Sequence, residues 1–436
     1  MIKLLQRMAV ILFSSAMLGT LLLILAFCMP VERMQQNVAA SIDKVLLDAE
    51  DVGKDSFSQY VWLKRESYTD AIMVQNAIEK LEDKNVFEHA MWVYHNDLEP
   101  EYWVPEESLK AYCGGEDSTF YLHEYSRYWH GYLIYLKPLL AVMTWEHVVW
   151  LGIAVQIALM VAVIFLSVRK KQMGIAFAVG AGFVFMKPVL VMISLTMSVC
   201  WVITLLAILA IQIYHKKIEE KKFYPEFFLI IGILTSYFDF LTYPIVTLGF
   251  PMCVYFLMEK GATVRKILEK VIGYSICWGI GYAGMWAMKW IIADITLRTG
   301  TIKDAIWSII GRTEAIGGRE RMNGGGYVIG LNLQEYPEIY WWIAAVLAIV
   351  SVILGALAIK KGGIKNVILQ LLPFAITFFM PFAWIVVVQH HSALHARFTF
   401  RIISVAVVAI CSLAVIAVRT IRKSAKNPEI IEKSVN

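Results

Sequence analysis

Thirteen residues, QHHSALHARFTFR at 389–401, place His390, His391, His395, Arg397 and Arg401 between two strongly apolar stretches. On a helix His391 and His395 stand one turn apart, as do Arg397 and Arg401, so imidazoles and guanidiniums would share one mouth. Arginine forks grip phosphate oxygens bidentately, and histidine exchanges protons near neutral pH. The segment therefore reads as a phosphate or pyrophosphate site, because a plain turn between helices needs no such density of charge. Metal binding by the three histidines has no support in ligand spacing, since no carboxylate stands beside them.

A second group could supply a base. Asp55, Glu66 and Asp70 lie in a polar block, and a carboxylate partly desolvated beside a membrane surface can deprotonate an acceptor hydroxyl. Ser67-x-x-Asp70 also matches a capping box, in which the carboxylate serves the amides of its own helix. Asp239, within SYFDFLTYP at 236–244, sits in an otherwise apolar stretch. Such a carboxylate suggests function, or else a buried ion pair with Lys187, Lys289 or Arg401. Arg127 and His130 fall in DSTFYLHEYSRYWHGYLIYLKP, where Tyr121, Tyr125, Tyr128, Tyr132 and Tyr135 recur at three- and four-residue steps. That spacing predicts an aromatic-striped helix lying flat in the headgroup layer. Arg312, Arg319 and Arg321 stand among glycines in 293–338, where a Gly-rich segment could close over an anion. It is no P-loop, because no GK[ST] follows.

The elements that must position these groups are mostly apolar. With 58% hydrophobic and 17% charged residues in 436, and a mean hydropathy of +0.61, the chain reads as an all-α polytopic membrane protein. Runs long enough for spanning helices give about ten: 8–29, 147–168, 173–187, 189–213, 227–242, 244–258, 271–292, 339–359, 366–388 and 402–418. Two of the longer apolar stretches are split at Lys187-Pro188 and Tyr243-Pro244, as tight hairpins. The organisation expected is an anchor at 1–29, an external block at 30–138 with amphipathic helices, spans within 139–292, an external loop at 293–338, spans within 339–418, and a tail at 419–436. Arg169-Lys170-Lys171, HKKIEEKKF, EKGATVRKILEK, KKGGIK and RTIRKSAK recur at every second turn, in phase with Lys3 and Arg7. This pattern places both termini in the cytoplasm of a multi-pass cell-membrane protein and gathers the candidate site residues on the opposite face. A net charge of +5 gives no reason to expect nucleic acid, and six cysteines without CxxC or zinc spacing predict neither a metal site nor a disulfide framework.

One anchor span, a long first external loop with acidic residues and flat helices, and further spans with polar residues on the external face resemble the GT-C-fold membrane glycosyltransferases. The segments YSRYWHGY, SYFDFLTYP and HHSALHARFTFR are also similar to those of uncharacterised bacterial multi-pass proteins. The GT-C resemblance implies transfer of a sugar or related group from a polyprenyl-phosphate donor to an acceptor at the external face. Asp70, Asp55 or Glu66 would be the base, assisted by Asp239 or His130. Arg397, Arg401, His391, His395 and Arg127 would hold the donor phosphates. Membrane lipid is an expected partner; no cofactor is predicted, with a divalent metal left open as an alternative that no residue pattern supports. A transporter or flippase of an amphipathic anion, or a scaffold binding a protein through the external loop, are the other classes. The position of ionisable residues at span ends favours an interfacial enzyme over a transporter.

Overall fold

The computed structural model describes residues 2–45, 67–80, 83–115, 117–259, 263–298, 300–313 and 324–426. Asp55, Glu66, Arg319 and Arg321 lie outside them. Six helices are long and apolar enough to cross a membrane: Ile2–Phe27, Trp145–Arg169, Leu195–Glu220, Glu338–Gly362, Ile364–Val387 and Ala396–Ala425. Only 11% of the apolar window of Glu338–Gly362 and 17% of that of Trp145–Arg169 is buried, against 78% for Ala396–Ala425. Outward-facing Trp150, Phe165, Trp342 and Val352 make an apolar surface suited to hydrocarbon, around a core formed by the buried helices. The chain is a helical membrane protein.

The ten spans expected become six of full length. The other four runs are helical, yet Met173–Val184, Tyr224–Phe238 and Val246–Met258 are shorter apolar helices, and 271–292 lies within the 34-residue helix Val264–Leu297. Twelve residues rise only about 18 Å, short of the roughly 30 Å hydrocarbon core. The shortening has a local cause. Lys187 adopts a left-handed conformation (φ 54°) ahead of Pro188, and Asp239–Pro244 forms an irregular turn with Leu241 also at positive φ. The chain breaks at Lys187-Pro188 and Tyr243-Pro244, the two expected positions.

The aromatic stripe is not a helix. Tyr121–Glu124 is a strand, β2, paired antiparallel with β1 (Tyr94–Asp97), and helix begins only at Leu133. The intervening residues cannot be helical, since His130 has φ 55° and Gly131 donates its N–H to the carbonyl of Tyr237. The aromatic rings turn inward rather than along a bilayer surface. Tyr128, Trp129 and Tyr132 are buried, and Tyr125, Tyr128, His130 and Tyr132 surround the ring of Phe240 at centroid distances of 5.2–5.9 Å.

Two buried charges dock the polar block on the long helices that follow it, and a third braces the block internally. Asp70, fully buried on Tyr68–Ile78, accepts hydrogen bonds from the backbone N–H groups of Leu195 (3.0 Å) and Thr196 (2.9 Å) and from the hydroxyls of Ser194 (3.0 Å) and Thr196 (2.8 Å). The capping-box reading is corrected accordingly: Ser67 makes no side-chain cap, and the helix that Asp70 caps begins 125 residues away. With Ser194 Oγ accepting from Met197 N and Ser194 O from Ser198 N, the first turn of Leu195–Glu220 is satisfied. Lys289 of Val264–Leu297 does the converse, donating to the carbonyls of Met91 (2.6 Å) and Ala90 (3.4 Å) at the C-terminal end of Val86–Trp92. Lys137 likewise donates to Ala77 O at the end of Tyr68–Ile78. Each charge has the sign that its helix end favours.

Glu79, 2% exposed, follows that last helix and accepts from Asn96 Nδ2 (2.7 Å) and from the N–H of Lys80 (3.1 Å). Burial raises its carboxyl from the ordinary 4.5 to about 7. The folded block therefore holds this proton more tightly than the unfolded chain, so the stability it contributes is complete below pH 4.5 and is lost as pH rises through 7. The thermal midpoint of the wild type should fall more steeply between pH 5 and 8 than that of Glu79→Gln. Parallel pH profiles would remove Glu79 as the cause.

Candidate functional site

After the spanning helix Ile364–Val387, the segment 388–401 forms the short helix Gln389–Leu394 and the first turns, Ala396–Thr399, of the span Ala396–Ala425. It is pinned to both helix breaks. His391 Nε2 donates to Leu241 O (2.9 Å), Arg401 Nε donates to Met186 O (3.2 Å), and Tyr336 Oη lies 2.9 Å from Phe185 O and 3.2 Å from Phe400 O. Because a carbonyl only accepts, the His391 proton resides on Nε2, leaving Nδ1 as the basic atom. Burial drives its pKa down to about 3, helped by His395 and Arg312, so the ring is neutral. His395 lies 4.6 Å from it, centroid to centroid, and stacks on Phe398.

The expected phosphate ligands do not all converge. Arg401, 3% exposed, donates to Met186 O and Arg397 O, while Arg127 pairs with Asp304 at 2.9 Å. Those guanidiniums are committed to holding the fold. Arg397 instead lines a cavity of about 510 Å³ with Lys187, Gln334, Glu335, Pro337, Leu331, Ala393 and Leu394. Lys187 is 6% exposed, with Nζ 4.7 Å from the Phe400 ring centroid. Among the described residues, the Lys187 ammonium, the Glu335 carboxylate and the Arg397 guanidinium form no ion pair or hydrogen bond. Two cations and one carboxylate thus face the same space unpaired. The alternative reading of Asp239, a buried ion pair, is not met among the described residues: its carboxylate accepts from the N–H and hydroxyl of Thr242 instead.

Alongside, Arg312 near the end of Thr301–Thr313 donates to Tyr128 Oη (2.9 Å) and lies over that ring, near enough to disfavour protonation of His391 and His395. Asp294 positions this helix by accepting from Thr301 N (2.6 Å) and Ile302 N (3.1 Å). The polar block and the 389–401 segment therefore meet at the helix Thr301–Thr313, through Arg312 to Tyr128 Oη and through Gln389 Nε2, which donates to Thr313 O. His130 takes no proton there. Its Nε2 donates to Tyr125 O (2.7 Å), its Nδ1 accepts from Tyr132 Oη (3.2 Å), and burial lowers its pKa to about 3. It pins the turn before Leu133.

Of the candidate bases, Asp70 is sealed beneath Leu195–Glu220, and no described carboxylate of 30–138 lines the Lys187 cavity. Glu335 does, and sequence reasoning missed it. Its signal was a Gln-Glu pair between a glycine run and Pro337. Lys187 had a clearer one, an ammonium in an apolar run. A larger hollow of about 640 Å³ along Val264–Gly273 is almost wholly apolar, and its Arg265 is paired with Glu269 at 2.7 Å. No group of three or more metal-ligating side chains occurs among the described residues. Comparison of the chain with protein-family models, curated proteins and solved structures found no match.

Proposed function

We propose that this protein is an integral cell-membrane transferase of GT-C type, moving a sugar or related group from a polyprenyl-phosphate donor to an acceptor at the external face. The observation that carries this reading is the cavity in which Lys187 and Arg397 present unpaired cations beside Leu331, Ala393 and Leu394. Phosphate against the cations and the first carbons of a lipid chain against the apolar wall would satisfy both halves of that lining. The basic loops supply the orientation, with both termini cytoplasmic and the cavity outward. Asp70 is occupied in docking, so the base falls to Asp55 or Glu66.

Purified protein in maltoside micelles should bind a polyprenyl phosphate at least tenfold more tightly than the matching polyprenol. Arg397→Gln should weaken the phosphate ligand by about 1–3 kcal/mol and leave the alcohol unchanged. Equal binding of phosphate and alcohol by the wild type would overturn the reading. A second reading, transport of the same amphipathic anion, is favoured by the broken helices at Lys187 and Asp239, because discontinuous spans commonly frame transport sites. Ligand flux in sealed vesicles containing only this protein would select it.

A further inference from the structure

The cavity carries more information than its two cations. Glu335 lies on its wall, close enough to Lys187 to influence it, yet outside ion-pair distance of both Lys187 and Arg397. A phosphodiester would bring the charge of these three side chains to zero but leave the Glu335 carboxylate without a donor of its own. A ligand that brings its own ammonium supplies that donor.

Resting on the reading of this cavity as a phosphate site, we propose that its ligand is a phosphodiester whose substituent bears an ammonium group. The phosphate is held by Lys187 and Arg397, and the ammonium by Glu335. Gln334 can accept from the ammonium or donate to a phosphate oxygen, and Leu331, Ala393, Leu394 and Ala396 receive the adjoining hydrocarbon. Separation is what makes the arrangement selective. Had Glu335 closed on Lys187, the pair would have neutralised itself and left only Arg397 for an anion. The same chemistry occurs in an ethanolamine phospholipid headgroup and in an amino sugar phosphate on a lipid carrier.

The test uses the full chain in maltoside micelles, with short-chain phosphatidylethanolamine and phosphatidylglycerol of equal acyl length as probes. Both carry the phosphodiester, and only the first carries the amine. Wild type should prefer the ethanolamine probe by about tenfold or more, equivalent to one charge-assisted contact. Glu335→Gln should abolish that preference, and Arg397→Gln should weaken both probes together. If the two probes bind wild type equally, and Glu335→Gln leaves their ratio unchanged while Arg397→Gln weakens both, the ammonium inference fails and the phosphate site stands. If neither probe binds, or Arg397→Gln changes nothing, the phosphate reading fails and the inference with it. Competition by the methyl diester of glucosamine 1-phosphate and not by glycerophosphoethanolamine would support the amino sugar source, and the reverse would support the lipid headgroup. Arg397 is exposed and Glu335 half-buried without partners, so both variants should fold.

Discussion

Asp70→Asn should destabilise the protein by about 3 kcal/mol while leaving ligand binding at the Lys187 cavity unchanged in the molecules that remain folded. Asn would be a mild change at an ordinary helix cap, because one side-chain oxygen can still accept. Here the carboxylate accepts from two backbone N–H groups and two hydroxyls. Asn offers one oxygen, and its NH₂ must replace the other. If that NH₂ takes the position facing Leu195 N, two donors confront each other in a fully buried site; the opposite orientation sets it against Thr196 N. The hydroxyls of Ser194 and Thr196 can rotate to accept, but the amides cannot. Loss of the negative charge also removes its favourable interaction with the N-terminal end of Leu195–Glu220. Thermal or denaturant unfolding in micelles measures the loss, and titration of the lipid phosphate measures binding. Wild-type stability with abolished catalytic turnover would return Asp70 to the role of base.

The parts of the fold legible in the sequence are those that the bilayer dictates. Apolar runs had to be helices, and six of the ten expected spans overlap the six long apolar helices. Pro188 and Pro244 marked the two breaks, each removing a helix N–H donor, whereas Pro251, Pro373 and Pro381 sit inside continuous helices. The stretch from Tyr121 to Tyr135 misled because its period of three to four residues resembles a helix face. The strand pairing of Tyr121–Glu124 with Tyr94–Asp97 and the left-handed turn at His130 are tertiary outcomes that no local spacing encodes. Asp70 misled for a related reason, as Ser67-x-x-Asp70 fits a local cap while the true partners lie across the protein. The site was half legible. The density of charge in 389–401 pointed to the segment that carries Arg397, but it could not separate Arg397, which lines the cavity, from Arg401, which donates to backbone carbonyls. Glu335 acquires meaning only when three distant segments meet around one space.

The second large effect lies where the helices Tyr224–Phe238 and Val264–Leu297 cross. A Cβ added to Gly232 would lie 2.1 Å from the carbonyl oxygen of Trp278, and one added to Gly281 would lie 2.1 Å from that of Leu229. Both obstructions are backbone, so no rotamer change can relieve them, and the helices themselves must move apart. Close approach at small residues is how helices associate in lipid, where hydrocarbon removes the hydrophobic incentive to pair. Gly232→Ala and Gly281→Ala should therefore each cost at least about 2–3 kcal/mol through overpacking. Gly279 provides the internal control. It occupies the same long helix with nothing within 4 Å of its added Cβ, so Gly279→Ala should be neutral or stabilising by up to about 1 kcal/mol through its better helix propensity. The double variant carries the sharper test. Once Gly232→Ala has forced the helices apart, Gly281→Ala meets a gap already opened, so the pair should cost less than the sum of the singles. Unfolding free energies for the two singles, the double and the Gly279 control decide it: strict additivity, or a Gly279→Ala as damaging as the others, would show that this crossing is not the contact that locks the two helices.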